Sequence, residues 1–480
     1  MADWWIGAWP HLAAAAILAL DVWAAAHAIL YKRDPRSATT WIGVILLFPV
    51  AGAALYVLLG INRIQRRAVL LRDRRAVLLP MPGAPSTASS APLPDRFDHL
   101  LALSKAVGRI SDLPLCTGNA ITPLRNGEEA YPAMLAAIES AQVSVTLSTY
   151  IFAHDAVGLR FADALGDAVE RGVQVRVLID DVGARYSFPT IYGALERRHV
   201  KFAAFMPTFF HWRMPYINLR NHRKILVVDS RVGFTGGMNI RQNHLVSDRE
   251  GDRVQDLHFR IEGPAVAQMQ TVFAEDWAFT TGERLEGDPW FAEPRAAGDI
   301  WARGIPDGPD EDRDKLRSTI LAALACARRR VRIVTPYFLP DSALISSLNT
   351  CALRGVEVQI VIPLVNNLRA VGWACQAHLW QVLERGCRVW RTPPPFDHSK
   401  LFVVDDAWSL IGSGNWDPRS LRLNFEFNLE CYHEGFAAEL NRRIDEKIAS
   451  AREATLAELD ARPLPIRLRD GVARLFWPYL

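Results

Sequence analysis

Two short segments of this chain carry the same residue types at the same spacing. The first is His222-Arg223-Lys224 followed by Asp229. The second is His398-Ser399-Lys400 followed by Asp405. An apolar run, Ile225-Leu226-Val227-Val228 or Leu401-Phe402-Val403-Val404, separates Lys from Asp. A small-residue turn ending in an amide comes next: Gly236-Gly237-Met238-Asn239 and Gly412-Ser413-Gly414-Asn415. One His-x-Lys is weak evidence of anything. Two copies with matching Asp and Asn spacings point to one composite site.

Displacement at phosphorus suits this set. It needs a nucleophile, a proton donor for the leaving alkoxide, and positive charge around the phosphoryl oxygens. Histidine does either of the first two jobs near neutral pH. Two histidines on opposite sides of one phosphorus can split the reaction, one attacking to form a phosphohistidine and the other moving the proton. Lys224 and Lys400 supply ammonium charge, and Asn239 and Asn415 supply amide donors for the phosphoryl oxygens. The candidate catalytic residues are therefore the motif residues His222, Lys224, Asp229, His398, Lys400 and Asp405. Asp229 and Asp405 lie at an odd offset from their histidines, which on a strand faces them away and suits a structural role. Orienting carboxylates are expected downstream, at Asp256 and Glu426, each opening a strand-like run. No metal-binding or Walker-type motif is present, so no cofactor and no metal is expected.

The elements that must position these residues repeat. In the first half a helix over 133–138, a strand over 143–147, a helix reaching Glu170 and the strand Arg171–Ile179 follow one another. In the second half the order recurs as helix 316–327, strand 331–334, a helix and the strand Arg354–Ile362. Arg-Gly-Val-Gln-Val-Arg-Val-Leu-Ile against Arg-Gly-Val-Glu-Val-Gln-Ile-Val-Ile is the closest copy. Alternating strands and helices predict parallel pairing and an α/β fold with two similar lobes. The expected domains are two transmembrane helices over 1–62, a basic then proline-rich linker over 63–95, a first lobe over 96–300, and a second lobe with a C-terminal tail over 301–480.

The N-terminal expectation rests on two apolar runs, Ile6–Tyr31 and Trp41–Gly60, each long enough to span about 30 Å of hydrocarbon. The start lacks the basic flank of a signal peptide. Asp21 and His27 fall in the first run and Pro49 in the second; Asp21 is expected to face the neighbouring helix and Pro49 to kink its own. Lys32, Arg33 and Arg36 between the runs are outnumbered by Arg63, Arg66, Arg67, Arg72, Arg74 and Arg75 after them. That bias places the catalytic body in the cytoplasm, on a multi-pass protein of the cell (inner) membrane. Net charge is only +3, with no basic body of the kind that binds nucleic acid. The six cysteines form no Cys-x-x-Cys pair and read as free thiols. His211, His244, His258 and His433 lack the motif context and read as bystanders. The aromatic stretch Phe205–Tyr216 and the basic, aromatic tail Arg467–Leu480 read either as membrane-facing or as packed on the body.

These residues resemble the phospholipase D superfamily, whose signature is His-x-Lys-x-x-x-x-Asp followed by a Gly-rich turn with Asn. More narrowly, Arg220-Asn221-His222-Arg223-Lys224, Thr235–Ile240, and Gly412–Ser420 running on to Leu423-Asn424-Phe425-Glu426 are similar to bacterial cardiolipin synthases. The resemblance covers nearly the whole chain. It implies two phospholipase D-like α-β-α lobes that transfer a phosphatidyl group between two phosphatidylglycerol molecules, giving cardiolipin and glycerol at a membrane bilayer. It also implies His222 as nucleophile and His398 as acid/base. Phe396-Asp397 before the second histidine departs from the usual apolar pair; Asp397 either raises the His398 pKa or faces solvent. The competing readings are a hydrolytic phospholipase D, a membrane-tethered nuclease, and a non-catalytic scaffold.

Overall fold

The computed structural model describes residues 2–32, 35–60, 93–207, 219–247, 252–309 and 314–476. The chain divides into two compact units, Met1–Val77 and Leu78–Leu480.

In the first unit, helix Ala2–Tyr31 contains a 21-residue stretch, His11–Tyr31, of mean hydropathy 1.8. Among the described residues it is the one helix long and apolar enough to cross a membrane. The second apolar run departs from the expected single span. It breaks into helix Pro35–Leu47, helix Ala51–Leu55 and a π-helical turn Tyr56–Gly60. The cause is Pro49, which lacks a backbone N–H and disfavours helical backbone in the residue before it. Val50 then turns left-handed (φ 68°), and its N–H donates to Asp21 Oδ1 at 3.3 Å. Asp21 thus faces its neighbour and accepts a donor at the helix break. His27 Nδ1 meets the Tyr56 hydroxyl at 2.8 Å.

In the second unit the first half supplies strands β1 (Cys116–Arg125), β2 (Ser144–Thr149), β3 (Gln174–Asp180), β4 (Phe202–Phe205), β5 (Ile225–Val228), β6 (Val232–Gly236), β7 (Val254–Gln255) and β8 (Leu257–Glu262). The second supplies β9 (Ile300–Asp307), β10 (Arg330–Val334), β11 (Glu357–Pro363), β12 (Arg388–Thr392), β13 (Phe396–Asp397), β14 (Leu401–Val404), β15 (Trp408–Gly412), β16 (Glu426–Tyr432) and β17 (Arg452–Ala454). All except β7 and β13 join one sheet, ordered β17-β12-β11-β10-β14-β15-β16-β9-β1-β8-β6-β5-β2-β3-β4. From the antiparallel β1–β9 pair outward, the two halves run β1-β8-β6-β5-β2-β3-β4 and β9-β16-β15-β14-β10-β11-β12. Position for position these are the same lobe twice.

Parallel pairing holds for β2-β3-β4 and β10-β11-β12, where helices provide the crossovers. The motif strands are different: β5 and β14 run antiparallel to β2 and β10. The sheet is therefore mixed, because each motif strand returns through a tight hairpin into β6 or β15. The hairpin turns place Asp229 and Ser230 (φ 51° and 54°), and Asp405 and Asp406 (φ 54° and 57°), in the left-handed region. Two consecutive positive φ values match the right-handed strand twist, and Asp tolerates that region.

Helices Asn126–Ser140 and Ala156–Glu170 bury one face of the first lobe, and Lys315–Cys326 and Ser342–Leu353 the matching face of the second. Helices Ala265–Thr281 and Glu434–Ser450 pack on the other face, in a cluster holding Ile225 and Val227 with Leu401 and Val403. One boundary differs from the sequence reading. Phe97, Leu100, Leu103 and Val107, assigned to the first lobe, pack in the core of the second. Phe97 and Leu100 sit in the 3-10 turn Asp95–Leu100, and the helix that follows, Leu101–Ser111, lies on Lys315–Cys326, with Arg303 Nη2 donating to Ser104 O at 2.9 Å. All six cysteines are free, and five are buried.

Candidate active site

Each motif histidine lies on the extended segment before its strand, and each segment is clamped by the other lobe. His222 N–H donates to Phe425 O (2.9 Å), and Phe425 N–H to Arg220 O (2.8 Å). In the second motif β13 pairs in parallel with β7, and His398 N–H donates to Gln255 O (2.7 Å). The residue after each clamping segment is a carboxylate. Glu426 follows Phe425, and both its oxygens lie 3.0 Å from His222 Nδ1. Asp256 follows Gln255, and its Oδ2 lies 2.9 Å from His398 Nδ1. The two expected carboxylates do meet imidazoles, but across the lobes: each lobe orients the histidine of the other. An ionised carboxylate only accepts, so each Nδ1 carries the proton and each Nε2 is left as the free ring nitrogen.

Both histidines line one cavity of about 250 Å³, with Asn239, Asn415, Tyr150, Tyr337 and Arg220 around them. Tyr150 packs edge-on to His222 (5.5 Å between centroids), and Tyr337 edge-on to His398 (6.1 Å). Lys224 Nζ donates to His222 O at 2.7 Å and sits 5.6 Å from the centre of the Tyr150 ring. Lys400 Nζ donates to His398 O and stands 3.0 Å from His398 Nδ1. Asn239 Oδ1 accepts the Ile151 N–H (3.0 Å), whereas Asn415 Oδ1 is buried without a partner among the described residues.

Burial and crowded positive charge set the electrostatics. Burial pushes Lys224 down to about 7 and Lys400 down to about 8. Burial lowers the His222 pKa, Glu426 opposes the shift, and Lys224 adds to it. His398 falls well below the usual histidine value through burial, then Lys400, Lys224 and His222. Burial pushes Glu426 up, but the charges of His222 and Lys224 outweigh it and hold the carboxyl below its ordinary range. Asp256 is raised, mainly by burial. Both imidazoles are therefore neutral near pH 7, amid cationic groups placed to receive an anion.

Asp229 and Asp405 are not at the reacting centre. Asp229 accepts the N–H groups of Gln142, Val143 and Ser144 at 2.8–3.0 Å. Asp405 accepts those of Arg328, Arg329 and Arg330 at 2.7–3.0 Å. Each ties its hairpin turn to the start of β2 or β10. Asp397 does not face solvent; its charge acts to raise the His398 pKa, as one of the two readings expected, but burial and the neighbouring cations outweigh it. It is buried, accepts from Ser399 N (3.0 Å) and Oγ (2.7 Å), and pairs with Lys447 at 2.5 Å.

Sequence reasoning missed Arg220, Tyr150, Tyr337 and Ser413. Arg220 is buried at the cavity wall; its Nη1 donates to Leu219 O, and its Nη2 has no partner among the described residues. The signal was available: Arg220 stands two residues before His222, on the same side of an extended segment. Ser413 donates to Glu426 Oε2 at 2.5 Å, a contact set by the antiparallel pairing of β15 with β16 inside the second lobe. Of the bystander histidines, His244 lines the cavity and accepts the Asn239 N–H at 3.4 Å. His258 is buried, and His433 caps helix Glu434–Ser450 by accepting the Phe436 N–H. Phe205 packs on Phe279 and Phe425; His211 and most of the aromatic stretch lie outside the described residues, as do most of the linker and the last four residues.

Residues 134–277 and 320–448 match the family described as cardiolipin synthase, PLD-like domain, and residues 19–60 match the phospholipase D-nuclease N-terminal family. A cardiolipin synthase of Geobacillus kaustophilus is 31% identical over 94% of this chain and 90% of its own length. One from Geobacillus thermodenitrificans is 32% identical with the same coverage. Among solved structures, phosphatidylserine synthase of Haemophilus influenzae covers 79% of this chain and 100% of its own at a TM-score of 0.63 and 16% identity, a likeness of fold. Matched over both lobes and nearly end to end, the chain belongs to the cardiolipin synthase family of phospholipase D-like proteins.

Proposed function

We propose that the chain transfers a phosphatidyl group from one phosphatidylglycerol to the terminal hydroxyl of a second, giving cardiolipin and glycerol. The observation that carries this reading is the pair of imidazoles on one cavity, each held through Nδ1 by a carboxylate of the opposite lobe. One imidazole Nε2 attacks phosphorus in line, and a P–N bond forms as the P–O bond to glycerol breaks. The bound phosphodiester anion raises the pKa of the second imidazole, which takes up a proton from solvent at Nε2 and gives it to the departing glycerolate. It then takes the proton from the incoming hydroxyl, whose oxygen displaces the first imidazole and regenerates it. Lys224, Lys400, Asn239, Asn415 and Arg220 offset charge on the phosphoryl oxygens. Excluding water from a small, mostly buried cleft favours a lipid hydroxyl over hydrolysis.

The helix His11–Tyr31 anchors the protein in the membrane, and the second apolar run, although broken at Pro49, completes a hairpin with the body on the cytoplasmic side. The experiment is incubation of the purified protein with labelled phosphatidylglycerol vesicles and separation of the lipids. Cardiolipin with one glycerol released per molecule formed is expected. Phosphatidic acid alone would replace this reading by a hydrolase.

A further inference from the structure

The body exposes large apolar side chains unevenly. Leu364, Val365 and Leu368 stand out on the loop after β11, and that loop's Asn367 and Leu368 line the cavity of the two histidines. Across the mouth, Tyr186 also lines the cavity; it is 58% exposed, and Phe188 beyond it is 98% exposed. The loop leads into helix Arg369–His378, on which the C-terminal helix Leu464–Leu475 packs, with Arg469 over the Trp373 ring at 4.4 Å. That last helix buries Asp470 and Ala473 and exposes Leu464, Leu468, Val472 and Leu475. The spacing i, i+4, i+8, i+11 draws one stripe along a helix. A core helix would bury such a stripe. Here it is the outward face.

The exposed charge on these two helices and on the loop after β11 has one sign. Arg369, Arg467 and Arg469 are exposed, and Arg474 is half-buried. The one acid in the C-terminal helix, Asp470, is buried and paired with Arg462 and Arg469. Neither helix nor the connecting loop carries an exposed carboxylate. An exposed leucine stripe flanked by arginines is the composition of a helix lying in an anionic lipid interface.

We infer that the cleft mouth is a second membrane-docking surface, separate from the N-terminal anchor, in which the Leu464–Leu475 stripe, the Leu364–Leu368 loop and the Phe188 tip enter the interface of an anionic bilayer. This rests on the phosphatidyl-transfer reading, since its purpose is to let a headgroup pass from bilayer to imidazoles while the acyl chains stay in lipid. It answers a question the sequence left open: the tail helix both docks on the body and faces lipid.

The test uses the full chain with Leu468→Glu and Leu475→Glu together, at exposed positions where the fold is not strained. Two substrates are compared: phosphatidylglycerol in vesicles, and dihexanoyl phosphatidylglycerol below its micellar concentration. Vesicle activity should fall at least about tenfold while soluble-substrate activity stays within about twofold. Crosslinking of the wild type in vesicles whose phosphatidylglycerol carries a photoreactive acyl chain should label 186–188, 364–368 and 464–476. Unchanged vesicle activity, or label confined to the N-terminal helices, overturns the proposal. So does equal loss on both substrates with a changed oligomeric mass, which would assign the stripe to a second copy of the chain. Were the wild type to make no cardiolipin from either substrate, the transfer reading would fall, while the crosslinks would still report on docking.

Discussion

The two lobes are alike where they touch the reacting centre and unlike one residue away. His222, Lys224 and Asn239 have His398, Lys400 and Asn415 as counterparts, and Tyr150 has Tyr337. Behind them the likeness ends. The position two before the histidine is Arg220 in one lobe and Phe396 in the other, and the position two after the asparagine is Arg241 against Asp417. The supports differ too. Arg223 pairs with Asp276 and donates to Glu426 O and Asp307 O, whereas Asp397 pairs with Lys447. In the proposed reaction the phosphoryl group is handled twice, once with a group leaving and once with one arriving, and a near-symmetric ring is suited to both steps.

Removing one histidine breaks the comparison hardest. His222→Ala and His398→Ala should each lower turnover by at least about 10³-fold, since residues acting as a unit fail together. They should differ in one respect. The variant that keeps the nucleophile retains a labelled phosphohistidine after acid-free digestion, and the other retains none. Label on both, or on neither, contradicts a division of labour.

The carboxylates come next. Glu426→Gln and Asp256→Asn keep the shape but lose the charge that holds each Nδ1 proton. A loss of roughly 10²–10⁴-fold is expected, by the logic of an orienting carboxylate. The cross-lobe arrangement makes a sharper claim: Glu426→Gln perturbs the imidazole signals of His222, and Asp256→Asn those of His398. Imidazole NMR showing the reverse pairing would refute the clamp geometry.

The pH profile tests whether the shared ring acts as one. In the free enzyme both histidines titrate below the usual 6.5, so the acid limb of kcat/KM, where the attacking imidazole protonates, falls below that value. Lys224 and Lys400 lose their charge near 7 and 8, so the alkaline limb falls there as pH rises. A bound phosphodiester adds negative charge beside both imidazoles and raises their pKa, which moves the acid limb of kcat above that of kcat/KM. A flat profile from pH 6 to 9 would remove the lysines from the mechanism. Arg220→Gln should have a smaller effect, about tenfold or more in KM with little change in kcat, because one charge-assisted hydrogen bond to a phosphate is worth about 1.5–3 kcal/mol.

Residues legible in the sequence were those whose spacing is local. His-x-Lys, the Asn turn and the repeated strand-helix-strand order are patterns within a few residues, and period-two and helical spacing carry them. The carboxylates were legible as residues but not as partners, because Glu426 meets His222 at a separation of 204 residues, and only lobe docking sets that pairing. The parallel sheet was over-read. Alternating strands and helices describe β2-β3-β4 well, but the hairpin after β5 depends on two left-handed residues that periodicity does not report. The second apolar run is interrupted more sharply than a kink: Pro49, expected to bend its helix, lacks an N–H, and the helix opens between Leu47 and Ala51.

The smallest expected effect on chemistry, and the clearest separation within the motif, is at its aspartates. Asp229 and Asp405 each accept three backbone N–H groups through two carboxylate oxygens from a left-handed turn position. Asparagine tolerates the same backbone and keeps one acceptor oxygen, so Asp229→Asn and Asp405→Asn lose one accepted bond or more rather than the turn. Each should cost about 1–3 kcal/mol of stability, since a backbone donor is left unsatisfied, while kcat per folded molecule stays within about twofold. The backbone share of the effect should be equal in the two lobes because each aspartate accepts three N–H groups, with His99 Nε2, 3.5 Å from Asp405 Oδ2, as an added contact in the second. Denaturant midpoints and active-site titration read these two quantities separately. A large loss of kcat in folded protein would return the aspartate to the chemistry; matched losses of stability alone would leave histidine and lysine as the reacting pair.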